Sequence, residues 1–157
     1  MIKIDFRDGT GTGDVIWRFG KDGDFLLDSS EPTDWFSHPH DAHFDGRRLW
    51  LYDNGNTRRQ AWGGPFNSRG QVYLVNEQNR TASLELSADL GNASDSQGSA
   101  QRLSNGNYHF LSGMLTNGTK RYNQSHEVSP AGLGGAIRYC FEVNAASYRS
   151  FRLHSLY

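Results

Sequence analysis

Short apolar runs broken by turn residues recur along the whole chain, and no window sustains the three-to-four-residue spacing that marks the buried face of a helix. The pattern predicts paired strands at 2–6 and 14–19 around a Gly-rich turn at 8–13, and at 41–44 and 48–52 around Asp45-Gly46. Further pairs are predicted at 71–75 and 81–87, at 101–103 and 108–112 around Ser104-Asn105-Gly106, and at 126–129 and 137–143. Asp-Gly favours a tight hairpin because Gly takes positive φ without steric cost.

The hairpins repeat. Residues 41–51 and 99–110 share the order short strand, turn with Gly, apolar strand, and each is followed by a second strand pair. One period is therefore four strands, the signature of a β-propeller blade. The count gives an all-β chain holding about two and a half blades, as a single partial propeller domain over residues 1–157. A blade with one uncovered face leaves an apolar sheet in water, so the chain is expected to be a fragment of a longer propeller or to self-associate.

Composition agrees with that pattern. Only 36% of residues are hydrophobic, yet 13% are aromatic and 18 are Gly, a balance that suits short strands and tight turns better than helices. A chain of 157 residues is long enough for one core, burying roughly 70% of its unfolded surface.

Net charge is −1 with six histidines, so no global field draws nucleic acid or an anionic membrane surface, and neither is expected as a partner. No stretch approaches the roughly 20 apolar residues of a membrane span, and residues 1–6 show no signal-peptide pattern. Against that stand glycosylation sequons at Asn79, Asn92, Asn117 and Asn123, which favour a secreted or extracytoplasmic parent protein. The lone Cys140, between Tyr139 and Phe141, is expected to be a buried, inert thiol.

The densest chemistry lies at His38-Pro39-His40-Asp41-Ala42-His43, followed by Asp53-Asn54-Gly55-Asn56-Thr57-Arg58-Arg59. Three imidazoles before a turn bearing two guanidinium groups suit an anionic ligand. Zinc is disfavoured because strand alternation sends His40 and His43 to opposite faces and no further ligands complete a tetrahedron. The imidazoles read equally as turn and edge residues in ordinary hydrogen bonds. Asp53-Asn54-Gly55 reads as a structural turn that aims the following Arg. Arg58 and Arg59 form a solvated pair, or Arg59 contacts the anion.

Ser99 and Gln101 occupy the position that the repeat makes equivalent to the His40 neighbourhood. They present a hydroxyl and an amide to the channel, or serve as strand-end hydrogen bonds. Aromatic residues on the strands are expected to fill the space between sheets. Trp35 and Phe36, just before His40, are kept as an apolar wall over the channel.

Several segments resemble the C-terminal half of the arylsulfotransferases. They are Ile2-Lys3-Ile4-Asp5, Val15-Ile16-Trp17-Arg18-Phe19-Gly20-Lys21, His40-Asp41-Ala42, Leu51-Tyr52-Asp53-Asn54-Gly55, Ser68-Arg69-Gly70, Gly98-Ser99-Ala100-Gln101-Arg102-Leu103 and Asn105-Gly106-Asn107. The resemblance implies a propeller of the six-bladed type. It also implies transfer of a sulfuryl group from a phenolic sulfate ester to a phenol, without nucleotide sulfate, cofactor or metal. His40 matches the histidine that becomes sulfated in that family, and Arg59, Ser99, Gln101, Trp35 and Phe36 are the candidate substrate contacts. The family's His-x-Asn pair and a further Arg have no match here and would lie in missing N-terminal blades, so the isolated chain is expected to be inactive. The alternative is a non-catalytic propeller-like module that binds a ligand or partner.

Overall fold

The computed structural model describes residues 1–29 and 33–153. Among them are the strands β1 (Ile2–Ile4), β2 (Val15–Arg18), β3 (Leu26–Asp28), β4 (Pro39–Asp45), β5 (Arg48–Asp53), β6 (Arg69–Asn76) and β7 (Thr81–Asp89). Strands β8 (Ser99–Arg102), β9 (Tyr108–Asn117), β10 (Lys120–Ser129) and β11 (Ala136–Val143) follow, and one helix, α1 (Asn56–Trp62), sits between β5 and β6. The fold is all-β and has the layout of a partial propeller. Strands β4-β5-β6-β7 form an antiparallel blade with β3 added in parallel at its outer edge, β8-β9-β10-β11 form a second blade, and β1-β2 form a hairpin. No described helix is long and apolar enough to cross a membrane.

Helix α1 and strand β3 were not expected. The helix has Gly55 in the left-handed region at its N-cap and no side-chain cap, so the usual start signal is absent from its sequence. Strands β9 and β10 also run further than predicted, meeting at the two-residue loop Gly118-Thr119, where Gly118 takes φ of 61°.

The first blade is buried on both faces. Leu49, Leu51, Tyr73, Val75 and Ala82 pack against Trp17, Phe19, Phe25 and Phe36 from the N-terminal segment. The alternate positions Trp50, Tyr52, Val72, Leu86 and Ala88 pack against Ala100, Tyr108, Phe110 and Val128 of the second blade. Period-two alternation in β5 therefore feeds two cores rather than a core and a solvated face. The blades approach closely where Gly70 meets the Phe110 ring, because a Cβ there would occupy the space of that ring. Beyond the two cores the outer faces stay open. Ile2, Ile4 and Ile16 at one end, and Tyr139, Phe141 and Phe151 at the other, are exposed.

One register break matters for the site. His40 pairs with Tyr52 while His43 pairs with Trp50, so β4 carries one more residue than β5 between those rungs. Such a β-bulge puts His40 and His43 on the same side of the sheet, which corrects the expectation that alternation separates them. Asp41, inside the bulge, takes φ of 53°.

Candidate active site

Strands β4 and β8 are the edge strands of the two blades, and they pack side by side. His40, the second residue of β4, lies on this seam, half-buried. Its Nδ1 is 2.6 Å from Asn54 Oδ1. Asn54 is fully buried, and its amide nitrogen donates to the carbonyls of Ser94 (2.9 Å) and Gln97 (3.1 Å). Two carbonyl acceptors fix which end of the amide is nitrogen, so the end facing His40 is an acceptor. Nδ1 must then carry the proton, and in the neutral ring Nε2 holds the lone pair. Nε2 has no partner among the described residues.

The guanidinium groups of the following turn are committed elsewhere. Asp53, fully buried, accepts from the backbone N–H groups of Ser37 (2.8 Å) and Gly55 (3.0 Å) through one oxygen. Its other oxygen takes Arg58 Nη1 at 2.6 Å and Arg69 at 3.0 and 2.9 Å. Arg69 continues to the Thr33 and Trp35 carbonyls, and Arg58 to the Asn67 carbonyl. Arg58 is thus buried, not solvated as expected. A carboxylate between two guanidinium groups ties the loop before β4 to the end of β5.

The sequence model of one protein family, described as Arylsulfotransferase (ASST), matches residues 1–150. The chain belongs to the arylsulfotransferase family. No curated protein matches. Family membership supports a sulfotransferase-type function, with aryl sulfates and phenols as the substrate class.

Within this arylsulfotransferase domain the expected contact residues fall in three places. Arg59 is half-buried and donates to the Asn54 carbonyl, to Asn56 Oδ1 (3.0 Å) and to Asp95 Oδ1 (2.9 Å), so it clamps the turn that carries Asn54. Ser99 and Gln101 lie on β8, beside β4, where their side chains bond the backbone of residues 150 and 152. Trp35 and Phe36 belong to the aromatic cluster on the other face of the first blade. Trp35 stacks on Tyr73 with centroids 6.0 Å apart, and Phe36 packs against Phe19 and Tyr73. The structure brings His40, Ser99 and Gln101 to one seam and sends Trp35 and Phe36 into the core.

Two further groups at the seam have no clear signal in the sequence. Asn54 reads in the sequence as a turn residue, and its burial and its contact with a histidine 14 positions earlier are visible only in three dimensions. Asp41 has a side chain only 3% exposed, and it bridges His43 (3.2 Å), Arg149 (3.3 Å) and the Ala100 N–H (3.1 Å). Its signal in the sequence was only its place next to His40. Cys140 is exposed, contrary to expectation, because its strand is the outermost of the second blade. Partial desolvation and the nearby Glu142 carboxylate push its thiol up, which keeps it protonated. Among the described residues no group of three His, Cys, Asp or Glu could hold a metal ion.

Proposed function

We propose that this chain carries the nucleophile of a two-step sulfuryl transfer, with Nε2 of His40 as the attacking atom. In the first step the Nε2 lone pair forms a bond to sulfur, the S–O bond to the aryl group breaks, and the phenolate leaves to take a proton from solvent. In the second step a phenol oxygen attacks the same sulfur, the N–S bond breaks, and the phenol proton goes to solvent. The imidazole keeps its Nδ1 proton throughout, directed at Asn54 Oδ1. The observation that carries this reading is the tautomer imposed by Asn54, which leaves a lone pair on the ring atom without a partner. A histidine nucleophile lets one site serve donor and acceptor in turn.

The test is incubation of the full chain with 4-nitrophenyl sulfate, followed by mass spectrometry of the peptide containing His40. Sulfate on that peptide, absent from His40→Asn, is the expected result. Label retained in His40→Asn rules out His40 as the nucleophile. The commitment of Arg58, Arg59 and Arg69 to internal partners favours a second reading, in which the seam binds aryl sulfates without reacting. Saturable binding with no label on any peptide would select it.

A further inference from the structure

Residues 147–152 stand to β8 as β8 stands to β4. The Asp41 carboxylate of β4 accepts the Ala100 N–H of β8. One step on, Ser99 Oγ accepts the Ser150 N–H (3.1 Å) and donates to the Ser150 carbonyl (2.9 Å). Gln101 does the same with Arg152, accepting its N–H at 2.8 Å and donating to its carbonyl at 3.0 Å. His109 and Ser125 hold the Ser150 hydroxyl at 2.9 and 3.1 Å, and Asn123 donates to Ser147 Oγ at 2.9 Å. The segment is thus a third element of the wall that begins at β4, held by side chains instead of a strand ladder.

From this third element Arg149 reaches back to the first. Its Nη1 lies 3.3 Å from Asp41 Oδ1, and Asp41 is the residue after His40. The Arg149 side chain is 45% exposed, and its other contact among the described residues is the ring of its neighbour Tyr148. A guanidinium carries five N–H donors in a rigid fork. Arg58, Arg59 and Arg69 spend theirs on several protein oxygens, whereas Arg149 is anchored among the described residues to the Asp41 carboxylate, with nearly half of its side chain exposed.

We propose that Arg149 holds the charged oxygens of the sulfuryl group while His40 attacks the sulfur. The inference rests on the sulfuryl-transfer reading above and names a cation for it within the chain. A sulfate ester bears its negative charge on the peripheral oxygens, and a planar fork matches two of them at once. Asp41 aims that fork. Its own charge is shared with the Ala100 N–H and the His43 ring edge, so the guanidinium is positioned without being fully neutralised.

The experiment titrates inorganic sulfate, then 4-nitrophenyl sulfate, into the full chain while following the His40 ring nitrogens by NMR. Wild type is compared with Arg149→Ala, Arg149→Lys and Arg138→Ala, the last an exposed arginine of β11 outside the seam. Arg149→Ala is expected to weaken the sulfate response by about tenfold, the size of a lost charge-assisted hydrogen bond. Arg149→Lys should recover part of it, since it restores the charge without the fork, and Arg138→Ala should match wild type. Unchanged far-UV dichroism of each variant guards against misfolding. Sulfate binding that ignores Arg149→Ala, or no sulfate response at His40 in wild type, overturns the inference. Arg149-dependent sulfate binding without any label on His40 keeps this inference and removes the transfer reading. Labelling of His40 at an equal rate in wild type and Arg149→Ala does the reverse.

Discussion

The Nδ1 of His40 lies 2.6 Å from the side-chain oxygen of Asn54, and Asn54 is itself locked by the Ser94 and Gln97 carbonyls that lead into β8. The connection between the blades thereby fixes the protonation pattern of a ring on the first. Nitrogen NMR of the His40 ring at neutral pH should report a protonated Nδ1 and a bare Nε2. Asn54→Ala should mix the two tautomers and slow sulfate capture by about 10- to 100-fold, the scale seen when the partner that orients a metal-bound histidine is removed. Capture at the wild-type rate, with the tautomers mixed, would separate the hydrogen bond from the chemistry.

Removal of the Asp53 carboxylate leaves Arg58 buried without its counter-ion and Arg69 short of one. Asp53→Ala should cost about 3–5 kcal/mol in urea unfolding. Arg59→Ala, whose ionic partner Asp95 is 88% exposed, should cost about 1 kcal/mol or less through that pair. Equal losses would show that burial does not set the ranking.

A methyl group at position 70 has nowhere to go but into the Phe110 ring. Gly70→Ala should lower stability by about 1–3 kcal/mol as an overpacked core. The double variant Gly70→Ala with Phe110→Leu should be more stable than the sum of the two single changes predicts. Thermal unfolding of the four proteins in this cycle measures the coupling.

Burial first, then the Arg152 guanidinium and His126, pushes His109 down to about 4, and burial also lowers His126. The unfolded chain takes up these protons at higher pH than the folded one, so the unfolded state binds more protons between the two values. Stability should be level above the ordinary histidine value of about 6.5 and decline as pH falls toward about 4. The full effect of His109 is at most about 3–4 kcal/mol. Urea midpoints between these limits should slope less in His109→Gln; an unchanged slope would mean that His109 titrates alike in both states.

The four sequons are not equivalent in the fold. Asn79 and Asn117 are exposed, next to the turns that join β6 to β7 and β9 to β10, whereas Asn123 is buried with its amide bonded to the Ala145 carbonyl and Ser147. Folded protein recovered from a eukaryotic secretory host should carry glycans on Asn79 and Asn117 and none on Asn123. Glycopeptide mapping decides the point, and an occupied Asn123 in folded protein would contradict the packing described.

Local pattern carried most of the architecture. Every predicted hairpin formed, because alternation together with Asp-Gly, Asn-Gly and Gly-rich turns specifies strands within a few residues. Helix α1 was hidden because its seven residues bury one side chain, Arg58, through an ion pair and not through an apolar stripe. The site was legible only along the chain. His40 stood out by its neighbours, and Ser99 and Gln101 by the repeat, but Asn54 and Arg149 enter through contacts across 14 and 108 positions, which no periodicity encodes. Trp35 and Phe36 misled for a related reason: closeness in sequence to His40 suggested a shared pocket, yet the chain crosses from one face of the blade to the other between Phe36 and His40.

The central strand β5 serves two interiors at once, since Leu49 and Leu51 face the N-terminal aromatic cluster while Trp50 and Tyr52 face the second blade. From 49 to 53 it therefore has no tolerant position at which polarity can be varied freely. A change of volume on either side is transmitted through the same five peptide units to the turn whose Asn54 meets the His40 ring, so substitutions along this strand should disturb that contact as readily as they disturb folding.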